Sequence, residues 1–491
     1  MECVSDAGGD IVPSHFVMKV KRKPDGSLDK FKARLVIAGN RMQSYGFETF
    51  APVCAWSTVR ILLVLALTWG WHTCTCDYSN AFIHSKLPDS SPVWMRLPKG
   101  YRSAKPGRTC LKLKKSLYGS NFAPFLWVKT CGKALENYGL KPSKHDPCLY
   151  TKPGVMVACY VDDLLMAFKD PNEKKVFLQS MKDQGFTLTM DDNLGSFLGI
   201  KFEHLEDGTI NLTQPALIDK IIEATNMQDC NPSPTPAAPN QPLGKDPDGE
   251  PMTDSWNYKS VCGMLLYLST NSRPDITYAV SQVCRFSHDP KQSHAAGVKR
   301  IVRYLAGTKN MGTYFKPDGT LSLDSMSDSD FAGLYNVDPV EDPSSSKSRM
   351  GYIIKLSGCP LIWKSSLITS TCLATAESEY YSLSHCLRAL LPIHRLLEEL
   401  AERLELDPEL KSTISSRAFG DNSACMTIAR DHRLTSRTRY YHVFAHHFWE
   451  AVDEGVVVPT NIATTLMDAD YFTKGMPREG FEQNRKRVQG W

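Results

Sequence analysis

The chain has 491 residues, which is long enough for two to four domains. Of these residues 42% are hydrophobic, 10% aromatic and 22% charged, a composition that excludes disorder over the whole length. The formal net charge of +4 is too small to indicate a nucleic-acid partner by itself. The longest apolar run, residues 61–71, is shorter than the roughly 20 residues that cross a bilayer. With no secretory pattern at the amino terminus and fifteen scattered cysteines, we expect an intracellular protein with reduced thiols.

A cation-rich hairpin is predicted near the amino terminus. Residues 16–22 and 30–37 have the alternation of strands, and Pro24-Asp25-Gly26 between them supplies a turn. The cations of its two arms are Lys19, Lys21, Arg22, Lys23, Lys30, Lys32 and Arg34. Such a ribbon suits contact with phosphates, although a solvated basic hairpin is the commoner interpretation of this pattern.

Three aspartates lie at the ends of predicted strands in the first half. The predicted elements there are a helix over 59–67 capped by Thr58, strands over 72–78, 155–160 and 164–168, and a helix over 172–184. Asp77 ends one strand, and Asp162 and Asp163 lie in the turn between two others. Because aspartate disfavours strands and adjacent carboxylates repel each other unless a cation or solvent intervenes, this placement has no obvious structural purpose.

A proline-rich linker separates the two halves. Residues 231–256 contain seven prolines and few aliphatic side chains, which is typical of an extended connection. Helices are predicted over 258–270, 275–287 and 293–306, and the last of these displays Lys299, Arg300 and Arg303. A cationic helix face of this kind is more often solvated than bound to a partner.

The last part of the chain carries a second set of acids. Its predicted elements are a strand over 321–327, a hairpin over 351–356 and 360–364, and a long helix that Pro392 kinks or divides into two. The acids near the ends of elements are Asp328, Glu379, Asp421 and Asp470. Transfer at a phosphodiester uses two divalent ions roughly 4 Å apart, and hard ions prefer carboxylate oxygens. Taken singly, each acid is more often a helix cap or a surface residue.

Ordered motifs along the chain resemble those of one family. In the first half they are VMKVKRKPDGSLDKFKARLVIAG (17–39), ETFAPV (48–53), CDYSNAFI (76–83), LKKSLYG (113–119) and YVDD (160–163). Later ones are FLGI (197–200), RPDITYAV (273–280), KRIVRYLAGT (299–308), SDSDFAG (327–333), ESEYYSL (377–383), DNSA (421–424) and DADYFTKG (468–475). Together they resemble the reverse transcriptase and ribonuclease H region of copia-type LTR retrotransposons.

The resemblance implies an α+β fold with several domains. A right-hand polymerase would place its fingers and palm in residues 1–205 and its thumb and connection in 206–315, including the linker 231–256. An α/β ribonuclease H-like domain would occupy residues 316–491. The implied activities are RNA-directed DNA polymerase and cleavage of the RNA strand of an RNA–DNA hybrid.

The resemblance also implies roles for individual residues. Asp77, Asp162 and Asp163 would be the catalytic, metal-binding acids of the polymerase, and Asp328, Glu379, Asp421 and Asp470 those of the ribonuclease. Lys32 and Arg34 match basic residues near the incoming triphosphate, and Phe82 matches an aromatic steric gate below its sugar. Tyr118 and Gly119 are expected to contact substrate. Each site would hold two Mg²⁺ ions, with Mn²⁺ as the alternative.

Partners and location follow from the same resemblance. The expected partners are an RNA template, a DNA primer, an RNA–DNA hybrid and deoxynucleoside triphosphates, with no membrane. The expected location is the cytoplasm, within virus-like particles, with nuclear entry as a further step. Self-association and an origin in a longer polyprotein stay open.

Departures from the family pattern leave two alternatives open. Ser120, Asn121 and Phe122 follow LYG where the family usually has Leu-Lys-Gln, and much of the expected fingers segment before Phe16 is missing. These features favour a catalytically inert, nucleic-acid-binding relic or fragment. The stretch 437–448 also departs from the family, and which of its histidines assists the ribonuclease is undetermined. The histidines His442, His446 and His447 give a zinc-hydrolase alternative, which lacks an intervening glutamate.

Overall fold

The computed structural model of the chain describes residues 2–4, 9–22, 28–42, 48–88, 90–101, 110–432 and 442–491. They belong to two compact units. The first unit comprises Met1–Ala55 and His72–Asn193, and the second comprises Trp56–Trp71 and Leu194–Trp491. The sequence predicts three parts with boundaries at 205 and 315, whereas the units divide at 193 and residues 206–315 pack with 316–491. Among the described residues, no helix combines the length and the apolarity needed to span a bilayer.

A buried arginine explains why helix α1 (Trp56–Trp69) belongs to the second unit. The guanidinium of Arg60 is buried and donates hydrogen bonds to the carbonyl oxygens of Thr270 and Asn271. These two residues end a helix, so the cation lies at the negative end of the helix dipole. The predicted cap is wrong, because the helix begins at Trp56 and Thr58 is buried within it.

The first unit is built on a six-stranded sheet. Its strands and helices are β1 (Glu2–Val4), β2 (Ile11–Val12), β3 (Ser14–Arg22), β4 (Leu28–Ile37), β5 (His72–Tyr78), β6 (Trp94–Arg96), β7 (Cys110–Lys112), α2 (Ala123–Asn137), β8 (Lys141–Pro142), β9 (Leu149–Lys152), β10 (Val155–Tyr160), β11 (Asp163–Phe168), α3 (Glu173–Asp183) and β12 (Leu188–Asp191). The large sheet has the order β12-β5-β11-β10-β9-β8, and a smaller sheet has the order β1-β7-β6-β2. The strands β10 and β11 are nearly continuous apolar runs because both are buried.

Strands β3 and β4 pair as the predicted hairpin, which we call the basic ribbon. Directly opposite residues of an antiparallel pair share a face. The register pairs Lys19 with Lys32 and Val17 with Arg34 on one face. Apolar pairs such as Val20 with Phe31 form the other face, where Phe31 is 77% exposed. Residues 23–27, including Lys23 and the predicted turn, lie outside the described residues, and so do the side chains of Lys21 and Arg22.

The second unit joins a helical region to a mixed sheet. Its further elements are β13 (Ser196–Phe197), β14 (Ile200–His204), β15 (Ile210–Thr213), α4 (Pro215–Ala224), α5 (Tyr258–Asn271), α6 (Thr277–Cys284), α7 (Gln292–Gly307), β16 (Thr313–Phe315), β17 (Ser322–Asp330), β18 (Arg349–Leu356), β19 (Cys359–Leu367), α8 (Thr375–Arg403), α9 (Pro408–Ser412), β20 (Ser415–Gly420), α10 (Ser423–Asp431), α11 (His442–Asp453), β21 (Val458–Asn461) and α12 (Arg478–Gln489). One apolar core contains Leu265 of α5, Ile301 of α7 and Trp363 of β19. This shared core is the physical reason why the predicted boundary at 315 does not divide the unit.

A five-stranded sheet carries the second acid set. Its order is β19-β18-β17-β20-β21, with β17 antiparallel to β18 and parallel to β20. Helix α8 packs against β17 and β18. The helix is continuous through Pro392, so the predicted division into two helices is wrong. Leu390, Ile393 and Leu397 are all buried on either side of the proline, and this burial offsets the missing backbone hydrogen bond.

The linker 231–256 contains no helix and no strand, as its composition predicts. Helix α7 holds it in place. Arg300 donates hydrogen bonds to the carbonyl and hydroxyl oxygens of Thr235, and Arg303 donates one to the carbonyl of Asn231. Lys299 forms a 2.6 Å ion pair with Asp254. The cationic face of α7 therefore contacts the linker of its own chain.

Candidate active sites

The first acid set lies where β5, β10 and β11 meet. The register pairs Asp77 of β5 directly with Asp163 of β11, so these two side chains share a face of the sheet. Asp163 also pairs with Tyr160, which leaves Val161 and Asp162 as a two-residue turn. Val161 has a φ of 58°, a strained conformation for a β-branched residue that tends to occur at functional sites. The register thus brings Asp77 and Asp163 together, with Asp162 in the adjoining turn.

Two hydrogen bonds hold this turn. The indole nitrogen of Trp127, on α2, donates to the carbonyl oxygen of Val161 at 2.6 Å. The backbone nitrogen of Tyr78 donates to the carbonyl oxygen of Asp162 at 2.9 Å. Both donors come from well-buried residues of the same unit, so the strained turn is fixed by the surrounding core.

Burial and neighbouring carboxylates both affect the pKa of Asp163. The pKa of Asp163 is raised to about 6, first by partial burial and then by the neighbouring carboxylates of Asp162 and Asp77. Because two neighbouring carboxylates oppose the ionisation of Asp163, a cation bound among the three would relieve the repulsion. The residues present therefore fit a divalent cation.

Residues from three segments form a wall beside the acids. The rings of Phe82 and Tyr118 meet edge to face with centroids 5.1 Å apart, and the guanidinium of Arg34 lies 5.4 Å from the Tyr118 ring. Partial burial raises the pKa of Tyr118, and the nearby Asp162 raises it further. These contacts bring Phe82, Tyr118 and Arg34 to the first acid set.

Gly119 allows β4 to approach this wall. The backbone nitrogen of Ile37 donates to the carbonyl oxygen of Tyr118 at 2.9 Å. Gly119 has a φ of +88°, and a Cβ atom there would clash with the carbonyl oxygen of Ile37. Only glycine fits both the conformation and the close approach. Of the divergent residues that follow, Ser120 and Phe122 are buried and Asn121 is exposed.

The second acid set gathers at one end of the five-stranded sheet. Carboxylate oxygens of Asp328, Glu379 and Asp421 lie within 4.8 Å of one another, close enough to bind one cation together. Asp328 is on β17, Glu379 on α8, and Asp421 between β20 and α10. The hydroxyl of Ser382, one turn after Glu379, donates to the carbonyl oxygen of Asp328 at 2.9 Å and ties the helix to the strand.

Asp470 reaches the same cluster from a short 3-10 turn. Its pKa is raised to about 7, mainly by burial and next by Asp328. Its Oδ2 lies 2.9 Å from the ammonium of Lys474, and its Oδ1 is buried without a hydrogen-bond partner. The hydroxyl of Thr473, which is fully buried, donates to Oδ2 of Asp328 at 2.5 Å. We use "acidic cluster" for Asp328, Glu379, Asp421 and Asp470.

The acidic cluster fits a cation by its electrostatics. The pKa of Glu379 is raised to about 9, mainly by burial and then by Asp328 and Asp421. Buried carboxylates are normally paired or bound to metals. The unpartnered Oδ1 of Asp470 and the oxygen-only ligand set both suit a hard divalent ion such as Mg²⁺ or Mn²⁺.

The histidines of α11 lie on the helix that packs against α8. The ring of His446 lies 4.8 Å from that of Trp449. Burial lowers the pKa of His447, and Arg388 lowers it further. The side chain of His442 lies outside the described part of the chain, so the zinc alternative and the choice of a ribonuclease histidine stay predictions.

Three residues of these sites are not singled out by sequence reasoning. Trp127 is an ordinary apolar position of an amphipathic helix, and nothing in its spacing indicates a contact with the turn. Thr473 and Lys474 belong to the motif DADYFTKG, so the i, i+4 spacing of Asp470 and Lys474 was an available signal. The contact between Thr473 and Asp328 spans 145 positions and has no sequence signature.

Comparison with known proteins supports the family resemblance. Residues 6–239 match the family described as reverse transcriptase (RNA-dependent DNA polymerase). The chain is 32% identical over 485 residues to the retrovirus-related Pol polyprotein from transposon RE1 of Arabidopsis thaliana, covering 97% of this chain and 32% of that protein. The chain is similar over nearly its whole length to Pol polyproteins of copia-type retrotransposons. The resemblance stated from the motifs is confirmed.

Two further known proteins are similar to this chain. The Pol polyprotein from transposon TNT 1-94 of Nicotiana tabacum is 29% identical over 489 residues, covering 96% of this chain and 35% of that protein. This chain thus spans about a third of the length of these Pol polyproteins. A solved structure of the foamy viral protease-reverse transcriptase in complex with dsDNA has a TM-score of 0.48 at 13% identity, covering 94% of this chain and 79% of that one. A TM-score below 0.5 does not by itself establish a common fold.

Proposed function

We propose that this chain is an RNA-directed DNA polymerase whose second acid set cleaves the RNA strand of an RNA–DNA hybrid. The observation that carries the proposal is the register that pairs Asp77 with Asp163 beside the strained Val161–Asp162 turn. This arrangement lies within the residues that match the reverse transcriptase family. Asp77 and Asp162 oppose the ionisation of Asp163 where two interior strands of the sheet end. A bound cation would offset this repulsion, and a purely structural role does not explain the placement of the three acids.

The wall beside the first acid set suits a nucleoside triphosphate. Arg34 presents a guanidinium at the edge of the site, where it would bind phosphate oxygens by charge-assisted hydrogen bonds. Lys32 lies on the same ribbon face, and its cross-strand neighbour Lys19 repels it, so an anion on this face would relieve the repulsion. The aromatic pair of Phe82 and Tyr118 offers an apolar surface for a sugar and base.

Asp77, Asp162 and Asp163 would hold divalent cations in the first site. Bound there, such ions would stabilise charge on the attacking 3′-hydroxyl and the departing pyrophosphate. The protein's own contribution is to fix the three carboxylates: the sheet register sets Asp77 and Asp163, and the bonds from Trp127 and Tyr78 set the turn.

Ribonuclease activity is supported by the second unit. A mixed five-stranded sheet with one acid on its central strand and another on the covering helix is the arrangement expected of a ribonuclease H-like domain. Asp328, Glu379, Asp421 and Asp470 would hold the cations there. Thr473 would orient Asp328, because its hydroxyl donates to one carboxylate oxygen and leaves the other for the ion.

The partners follow from the chemistry. An RNA template, a DNA primer and deoxynucleoside triphosphates serve the first site, and the hybrid serves the second. We propose the cytoplasm as the place of action, with Mg²⁺ as the ion at both sites.

Primer extension tests this function against the inert relic. Purified full chain, an RNA template with a DNA primer, and Mg²⁺ should give extended DNA, and the matched variant Asp77→Asn should give none. The same preparation should shorten a labelled RNA strand within a hybrid. A folded wild-type chain that binds the hybrid yet neither extends nor cleaves would establish the relic instead.

A further inference from the structure

A cation of the chain itself lies inside the acidic cluster. The ammonium of Lys474 is 2.9 Å from Oδ2 of Asp470, and the lysine side chain is 45% exposed whereas that of Asp470 is 11% exposed. The same ammonium interacts favourably with Asp328 and Asp330. Because its four-carbon stem is flexible and its head reaches solvent, Lys474 is able to leave this position without repacking the core.

The ion pair with Lys474 involves only one of the two carboxylate oxygens of Asp470. Its Oδ1 is buried and has no hydrogen-bond partner, while Oδ2 is held by Lys474. The other three acids converge without it, since the group within 4.8 Å consists of Asp328, Glu379 and Asp421. Lys474 therefore pairs with the carboxylate through which Asp470 would complete a four-carboxylate site.

We propose that Lys474 is a built-in counter-cation that competes with a divalent ion for Asp470. A phosphate of a bound hybrid would then offer the ammonium another partner, so that nucleic acid and metal occupy the site together. Competition at Asp470 is independent of catalysis, whereas transfer of the ammonium to a phosphate rests on the ribonuclease activity proposed above.

The competition has a simple electrostatic basis. Two cations bound to one carboxylate repel each other, so each weakens the binding of the other. Replacing Lys474 by a neutral side chain leaves four carboxylates with more net negative charge, which attracts a divalent ion more strongly. Lys474→Met keeps most of the stem and removes only the charge. Since the lysine is partly exposed, salt should reduce the difference.

Calorimetric titration with Mn²⁺ alone tests the competition. The full chain would carry Asp77→Asn and Asp162→Asn in every sample, so that the second site dominates the signal. Lys474→Met should bind Mn²⁺ about tenfold more tightly, and Lys474→Arg should bind as the lysine form does. The matched control is Arg478→Gln, which removes an exposed i, i+4 ion pair with Glu482 outside the cluster and should leave Mn²⁺ affinity unchanged.

Equal or weaker Mn²⁺ binding by Lys474→Met would overturn the competition. A thermal melt in EDTA gives a second readout: Lys474→Met should melt below the lysine form because its acids no longer have their counter-cation. Mn²⁺ should remove that difference. A deficit that persists at saturating Mn²⁺ would assign Lys474 a purely structural role.

Hybrid cleavage separates the two parts of the proposal. At saturating Mn²⁺ the full chain with Lys474→Met should cleave a hybrid about tenfold more slowly than the lysine form, because no ammonium binds the phosphate. Equal rates would overturn the transfer to phosphate while leaving the competition intact. If the lysine form itself does not cleave but the Mn²⁺ affinities differ as expected, the proposed ribonuclease activity fails and the competition stands.

Discussion

At the scale of single residues, we propose that Phe82 governs how the first site selects a sugar. Its ring is half-buried, and its centroid lies 5.1 Å from that of the Tyr118 ring. Asp162 and Asp77 both raise the pKa of Tyr118, so this pair of rings lies near the first acid set. A steric gate at this position would exclude a ribose 2′-hydroxyl by volume, without any hydrogen bond.

Phe82→Ala should therefore raise incorporation of ribonucleotides relative to deoxynucleotides by about two orders of magnitude. Phe82→Tyr has a ring of similar width and should keep the preference, which makes it the matched control. Single-nucleotide extension with each sugar on one primer and template measures the ratio. An equal decrease of both incorporations in Phe82→Ala would make the residue a packing position.

The acidic cluster also predicts a pH dependence of stability. The pKa of Glu379 is about 9 in the folded chain, above its ordinary 4.5, and that of Asp470 is about 7, above 3.8. A folded state that binds protons more tightly than the unfolded chain loses stability as pH rises. In the metal-free protein this decline extends from about pH 4, where Asp470 begins to contribute, to about pH 9, the folded-state pKa of Glu379.

The variant Glu379→Gln lacks the carboxyl group that titrates at this position. In EDTA its melting temperature should match that of the wild type near pH 5 and exceed it at pH 9. Saturating Mg²⁺ should reverse the order, because the wild type alone then has all four ligands. Melting curves at several pH values check this, and parallel curves for the two proteins would show that burial of Glu379 does not carry the pH dependence.

Much of the residue-scale picture could be predicted from the sequence. The seven acids stand in motifs at the ends of elements, and the structure brings Asp77, Asp162 and Asp163 together as their positions indicate. Thr473 and Trp127 could not be predicted, because their roles consist of hydrogen bonds to residues far along the chain. The roles assigned to individual residues stay predictions until variants are assayed.

At the scale of elements, the basic ribbon and helix α7 are both rich in cations but use them differently. The basic ribbon presents Lys19, Lys32 and Arg34 along one face. Helix α7 uses Arg300 and Arg303 to hold the linker through Thr235 and Asn231. The sequence shows a similar density of charge in both segments, and only the fold reveals that the α7 cations bind carbonyl groups of their own chain.

This difference predicts unequal salt dependences. Lys19→Ala combined with Lys32→Ala should lower the slope of log affinity for a hybrid against log salt by about two, one for each cation removed from a phosphate. Arg300→Ala with Arg303→Ala should leave the slope nearly unchanged while exposing residues 231–256 to proteolysis. Hybrid binding measured from about 50 to 200 mM salt, with limited proteolysis of both variants, distinguishes the two segments. A flattened slope with an intact linker in the α7 variant would instead show that those arginines contact the hybrid.

Element boundaries were predictable where local signals and burial agree. The ribbon, β5, β10 and α7 match their predicted positions within a few residues. Helix α1 begins before its predicted cap because Arg60 and the apolar residues after it are buried together. Pro392 lies inside one helix because the buried face of α8 continues past it. In both places burial in the folded chain outweighs a local sequence signal. That burial cannot be read from the neighbouring residues of the sequence.

At the scale of the whole molecule, each compact unit contains one acid set. Asp162 belongs to the first unit and Glu379 to the second. The sequence anticipates two separate sets of acids, but it does not anticipate that residues 206–315 share a core with the sheet that follows them. That core depends on packing between side chains far apart in the chain, which leaves no periodic pattern.

Reciprocal loss of the two activities is the most direct test that each unit holds its own catalytic site. Asp162→Asn and Glu379→Gln would be assayed in parallel for primer extension on RNA and for cleavage of the RNA strand in a hybrid, with Mg²⁺ and with melting curves to confirm folding. Asp162→Asn should abolish extension and retain cleavage, and Glu379→Gln should do the opposite. Loss of both activities from either change in a folded protein, or retention of extension by Asp162→Asn, would contradict the two-site account.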